Sequence, residues 1–68
     1  MSDIAKIIEV VGSSDKDWAD AADQAVRTAS DTVKGITGVE VKHMTATVED
    51  GRIIKYKATV KIAFAVGG

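Results

Sequence analysis

His43 is the single histidine in a 68-residue chain that has no cysteine. A zinc centre needs several nitrogen or sulfur ligands, and an activated nucleophile needs a paired base, so neither set is complete. Alternation along its stretch puts His43 on one strand face with Val39, Val41, Thr45 and Thr47. There it serves a surface or an interface, from which it could still reach a ligand. Asp15, Asp17, Asp20 and Asp23 offer hard oxygen donors of the kind calcium and magnesium take. They lack the D-x-D-x-D-G loop, and in one chain they match a helix N-terminus. Repeated around a three-fold axis they could form an oxygen cage, as could Glu49 and Asp50, which otherwise make a plain turn. Lys55, Lys57 and Lys61 share one strand face. They could hold a phosphate or another anion, or keep a sheet surface soluble. Trp18 is either an anchor in the core or between subunits, or a stacking platform. No Ser-His-Asp set, paired catalytic carboxylates or Gly-rich phosphate loop is present, and the expectation is a protein that is not an enzyme.

These residues need elements to hold them. The β-branched run "IAKIIEVV", ended by Gly12, predicts a strand over 4–11. Ser14 and Asp17 have the spacing of a capping box. Trp18, Ala21, Ala22, Ala25, Val26, Ala29 and Val33 then recur every three or four residues, predicting a helix over 15–34. Early aspartates and late Arg27 and Lys34 suit its dipole, and Gly35 suits a left-handed C′ position. Strands are predicted over 39–48 and 53–66, joined at Glu49-Asp50-Gly51, where Asp-Gly signals a hairpin. In the last strand Ile54, Tyr56, Ala58, Val60, Ile62, Phe64 and Val66 alternate with Lys55, Lys57, Thr59, Lys61 and Ala63. That alternation marks a half-buried antiparallel strand. The expected fold is α+β, β-α-β-β in one domain, 1–68, with the first strand pairing the last to give sheet order 1-3-2 under one helix.

Nine basic and ten acidic residues give a net charge of −1, which is no footprint for nucleic acid. No apolar run approaches the ~20 residues of a membrane span, and the first residues do not have the pattern of a signal peptide. The expected setting is cytoplasmic. Only three aromatics are present, and the core must come from Ala, Val and Ile. So short a chain without disulfides is marginal alone, which predicts self-association. The helix also leaves the far half of the hairpin, near Thr45 to Tyr56, with nothing over it.

"KIIEVVGSS", the alanine-rich "AADQAVRTASDTV", the pair Glu40-Val41 and the closing "DGRIIKYKATVKIAFAV" together resemble the dodecins over most of the chain. The resemblance implies the same β-α-β-β fold, with the sheet curled around the helix, assembled as a hollow homododecamer that binds small molecules. Many dodecins stack flavins in pairs between tryptophans near a three-fold axis. The stacking tryptophan stands two residues before the Glu-Val pair, which here is Gly38 in "GITGV". A flavin-binding glutamine follows an aromatic on the last strand; here Tyr56 is followed by Lys57. Gly38 supplies no ring, although it could equally make a tight turn after Gly35. Lys57 donates hydrogen bonds but cannot accept one from a ring N–H. The candidate site is therefore Gly38, Lys57, His43 and Tyr56, with binding of riboflavin, FMN or FAD lost or weakened. Some dodecins lacking the tryptophan are associated with calcium, so the resemblance makes calcium or magnesium a second expectation, with no ligand set assignable. Two further readings stand beside storage or buffering of a small ligand: an assembly with no physiological ligand, and flavin held by the rings of Tyr56 or His43.

Overall fold

The structure, a computed structural model, describes residues 4–66. It contains β1 (Ala5–Ser14), α1 (Trp18–Ser30), β2 (Ile36–Glu49) and β3 (Arg52–Ala65). The strands form one antiparallel sheet in the order β1-β3-β2, as the alternation predicted. β3 is central because it must satisfy both neighbours. On one face its Ala58, Val60 and Ile62 are fully buried against the helix. From the helix come Ala21, Ala25 and Ala29, spaced by four so that they form one seam.

That seam explains Gly12, which does not end the first strand. β1 runs on to Ser14, and Gly12 lies where strand and helix touch. A Cβ there would stand 2.0 Å from the Ala21 carbonyl oxygen and 2.9 Å from the Ala25 Cβ. Only glycine permits so close an approach.

The helix is shorter than its periodicity predicted. It begins at Trp18 because Asp17, not Ser14, is the cap: its backbone is extended, and its Oδ1 accepts from the Asp20 N–H at 2.7 Å. Ser14 is buried instead beside the first turn. Its hydroxyl donates to Asp20 Oδ2 at 2.5 Å and accepts from the Lys16 N–H at 2.9 Å. Chiefly because of that hydroxyl, the Asp20 carboxyl is held below its ordinary value, with Lys16 adding to the effect and burial opposing it. A lowered carboxylate contributes stability that is present above its unfolded value and lost as pH falls through the folded one. Ser14→Ala should therefore be destabilising near neutrality. The gap to wild type, read from urea midpoints, should narrow in acid below the ordinary aspartate value of 3.8.

At the other end the helix stops at Ser30, with Asp31 as its C-cap. The β-branched Thr32 and Val33 bond back to the Ala29 carbonyl but do not extend it. Gly35 is left-handed, with φ +75°, yet it sits at the entry to β2 rather than at the helix end. Its carbonyl accepts from the Ala65 N–H at 2.9 Å. The hairpin turn is as predicted: Asp50 and Gly51, with φ 52° and 73°, make the mirror-image turn that matches strand twist.

β2 and β3 outrun the helix. The subunit measures 55 × 20 × 13 Å, with a radius of gyration of 14.0 Å against about 11 Å for a compact chain of this length. Its accessible surface is 4973 Å², where a compact monomer of 7.1 kDa would show about 4,100 Å². The excess is partly apolar: Ile4, Ile7, Val11, Met44 and Val48 are each about 60% exposed.

Candidate functional site

Directly opposed residues on neighbouring strands share a face, so the register assigns each candidate side chain. Lys57 faces Ser13 on β1 and Thr45 on β2, on the side of the sheet away from the helix. One pair along, Thr59 lies between Val11 and His43. Further along, Lys61 lies between Glu9 and Glu40, and then Ala63 between Ile7 and Gly38. This outer face carries three of the four candidate residues in a fixed order: Lys57, His43 beside it, and Gly38 at the far end.

His43 is not on the face predicted for it. A bulge between Val41 and His43 inserts Lys42 and reverses the alternation of β2. Val39 and Val41 thus share the helix side with Ile62 and Val60, while His43, Thr45 and Thr47 share the outer side with the lysines. Lys42 reaches across β3 to Glu9, with 3.6 Å between Nζ and Oε1.

Gly38 makes no turn after Gly35. It lies inside β2, beside a register shift, with a φ in the ordinary range. A Cβ built on it meets nothing within 4 Å. The position is open to solvent, and a Cβ is accommodated there without moving anything. Gly38 and Lys57 are nevertheless far apart. Their partners on β3 are Ala63 and Lys57 itself, six residues or roughly 20 Å along the strand. One small ligand cannot touch both in a single chain.

Tyr56 is separated from the other three by the sheet itself, because it points to the helix side. There its ring meets Trp18 edge to face, with centroids 4.7 Å apart and planes at 81°. The Trp18 indole N–H donates to the Thr45 carbonyl at 2.7 Å. Trp18 is therefore a clasp between the helix start and the hairpin, covering the near end of the hairpin that was expected to be bare. From 48 to 55 every residue is exposed, as anticipated. Ser13 and Thr45, the hydroxyls flanking Lys57, were not singled out from the sequence. Strand pairing alone brings them to the lysine, and no motif marks them.

The aspartates of the helix start are not a metal centre in one chain. Asp17 and Asp20 are engaged in capping, and Asp23 pairs with Arg27 at 2.8 Å. Among the described residues no three metal-ligating side chains gather in one place. No helix among them is long and apolar enough to cross a membrane.

Known proteins share this fold. A Mycobacterium tuberculosis protein named calcium dodecin is 30% identical over 61 residues, covering 90% of this chain and 86% of the relative. Among solved structures, dodecin from Streptomyces coelicolor is 27% identical and superposes with a TM-score of 0.92, covering 97% of this chain and 94% of that one. Dodecin from Streptomyces davaonensis is 22% identical, with a TM-score of 0.94 over the full length of both chains. The dodecin family model matches residues 4–67, and with the β-α-β-β order, the 1-3-2 sheet and the long hairpin all in place, this chain belongs to the dodecin family.

Proposed function

We propose that the protein, acting as one domain over 1–68, is a small-ligand binding and buffering subunit of a closed homo-oligomeric shell, a homododecamer as in its family. It would hold its ligand without transforming it, and the family's tight flavin stacking would be lost. The observation that carries this reading is the open, solvent-facing backbone at Gly38, where a stacking ring would otherwise project. Lys57 adds to it, since an ammonium group cannot accept a hydrogen bond from a flavin N–H. The separation of Gly38 from Lys57 supports a site completed by several copies, with Lys57, His43 and the nearby hydroxyls contributed from one subunit and Gly38 from another. Tyr56 would act from beneath the sheet, by holding the strand that carries Lys57.

The direct test is titration of riboflavin, FMN and FAD with the assembled protein, read by flavin fluorescence. Little quenching at micromolar protein is expected. Strong quenching would overturn the lost stacking and favour a ring contributed by His43 or Tyr56. A cation is the second reading, favoured by the name of the Mycobacterium tuberculosis relative. Its carboxylates would come from several copies, and calorimetry with calcium and magnesium would show no heat if it fails.

A further inference from the structure

The face of the sheet away from the helix sorts its charges along its length. At one level Lys61 stands between Glu9 and Glu40, and Lys42 reaches the same Glu9 at 3.6 Å. Lysines and glutamates balance one another there. The next three levels carry no carboxylate. Thr59 lies between Val11 and His43, Lys57 between Ser13 and Thr45, and Lys55 beside Thr47. Lys55 has no neighbour on β1, because that strand ends at Ser14 opposite Tyr56. Lys55 and Lys57 are two residues apart on one strand face, which separates their Cα atoms by about 7 Å. Among the described residues the ion pairs are Arg27–Asp23 and Lys42–Glu9, so neither lysine is in one. Ser13 and Lys55 also line a cleft of about 330 Å³ at the end of β1, with Asp15, Lys16, Asp20 and Gln24. The carboxylates of that cleft have other partners. Lys16 balances Asp15 in charge, and Asp20 accepts from the Ser14 hydroxyl at the start of the helix, where negative charge is favoured.

We infer that the Lys55–Lys57 end of this face binds a compact multivalent anion. The ligand is a small molecule holding two or more negative charges within about 7 Å, as a phosphoryl compound or a di- or tricarboxylate does. This gives the chemical class of the ligand buffered at the site proposed above around Lys57, and rests on that reading. Three observations carry it. Two like charges held side by side repel, and an anion between them replaces the repulsion with attraction. The hydroxyls of Ser13, Thr45 and Thr47 flank the two ammonium groups and can donate to the oxygens of an anion, as the ammonium groups do. The glutamates that a cation would need are two levels beyond Lys57, set against Lys61 and Lys42. Lys61 shares the face but is left out of the site for the same reason. Two free lysines in a chain of net charge −1 suit a small anion and not a nucleic-acid backbone, whose binding needs many phosphate contacts.

Calorimetry of the assembled protein with pyrophosphate, and separately with citrate, tests this at low ionic strength. Binding of at least one is expected, and the tighter of the two tells phosphoryl from carboxylate chemistry. The bound anion should also raise the melting temperature, because it binds the folded chain alone. Lys57→Gln should weaken binding by about tenfold or more, the effect of losing one charged hydrogen-bond donor. Should Lys57→Gln fail to assemble, Lys55→Gln, whose side chain is exposed, carries the same test. Lys34→Gln removes one exposed charge elsewhere and should leave binding unchanged. An equal loss in Lys34→Gln would overturn the inference by making binding a matter of overall charge. Failure of a wild-type shell to bind either anion would overturn it and leave the buffering reading in place. A short single-stranded oligonucleotide that binds where both small anions fail would overturn it in favour of a nucleic-acid partner. Strong quenching of riboflavin by the same protein would remove the reading and the inference together.

Discussion

Replacing Gly12 with alanine should abolish the folded subunit. The added methyl would lie 2.0 Å from a backbone carbonyl oxygen, and a carbonyl within a helix cannot swing aside as a flexible side chain can. The helix would have to retreat by more than 1 Å to restore ordinary contact, and a gap of about 1 Å already forfeits roughly half of the dispersion between packed atoms. Ala21, Ala25 and Ala29 would then part from Val60 and Ile62, and these five with Ala58 are the buried apolar core among the described residues. Overpacking alone costs roughly 1–3 kcal/mol, and the opened seam adds to it. A domain of this size has about 3–10 kcal/mol in all. Loss of far-UV ellipticity and a red-shifted Trp18 emission are the expected readouts. Gly38→Ala is the matched control. It adds the same methyl in open space at an ordinary φ and should leave the melting curve within a degree or two. If Gly12→Ala folds as well as Gly38→Ala, the close approach of strand and helix is wrong.

Gly38→Trp combined with Lys57→Gln should create flavin binding. Each indole face covering a flavin ring removes on the order of 100 Å² from water, about 2.5 kcal/mol at 25 cal/mol per Å². Aromatic stacking adds about 1 kcal/mol. Each face is then worth a few hundredfold in Kd. The amide restores a group that both donates and accepts, which the ammonium of Lys57 does not. The open space at Gly38 lets the indole's Cβ enter without displacing a neighbour. The expected result is strong quenching of riboflavin fluorescence by the double variant at concentrations where wild type quenches little. Lys57→Gln alone should change almost nothing, because the wall would still be missing. A double variant that assembles normally and quenches no better than wild type would refute the claim that Gly38 marks the absent stacking wall.

The strong periodicities were legible from the residues. The alternation of β3 announces one buried face and one lysine face, and the alanines at every fourth position announce a helix that sits close. With the hairpin joining the last two strands, the simplest partner for the first strand is the free edge of β3, which gives the observed order β1-β3-β2. Two features were hidden. Gly12 looks like a strand terminator, because its reason for being glycine lies nine residues away in the carbonyl of Ala21. The bulge at Lys42 carries no mark of its own, because any residue can be the inserted one, yet it moves His43 from the apolar side to the lysine side. Helix ends were misjudged for a related reason. Asp17 and Ser14 are both good caps, and only the burial of Ser14 beside Asp20 decides between them. The site suffered most. Lys57, His43 and Gly38 share one face, with Lys57 and Gly38 far apart along it, and Tyr56 lies on the other; contacts between copies would leave no trace in the spacing of a single chain.

Every part of the account depends on a subunit that is too thin to stand alone. Among the described residues six apolar side chains are buried, and large apolar side chains such as Ile7, Val11 and Met44 are about 60% exposed. Sedimentation velocity at micromolar and then nanomolar concentration, with circular dichroism on the same samples, tests this directly. The expected result is one closed particle many times the mass of a chain, and no folded species at the single-chain mass of 7.1 kDa. A stable, fully folded single chain on dilution would contradict the account.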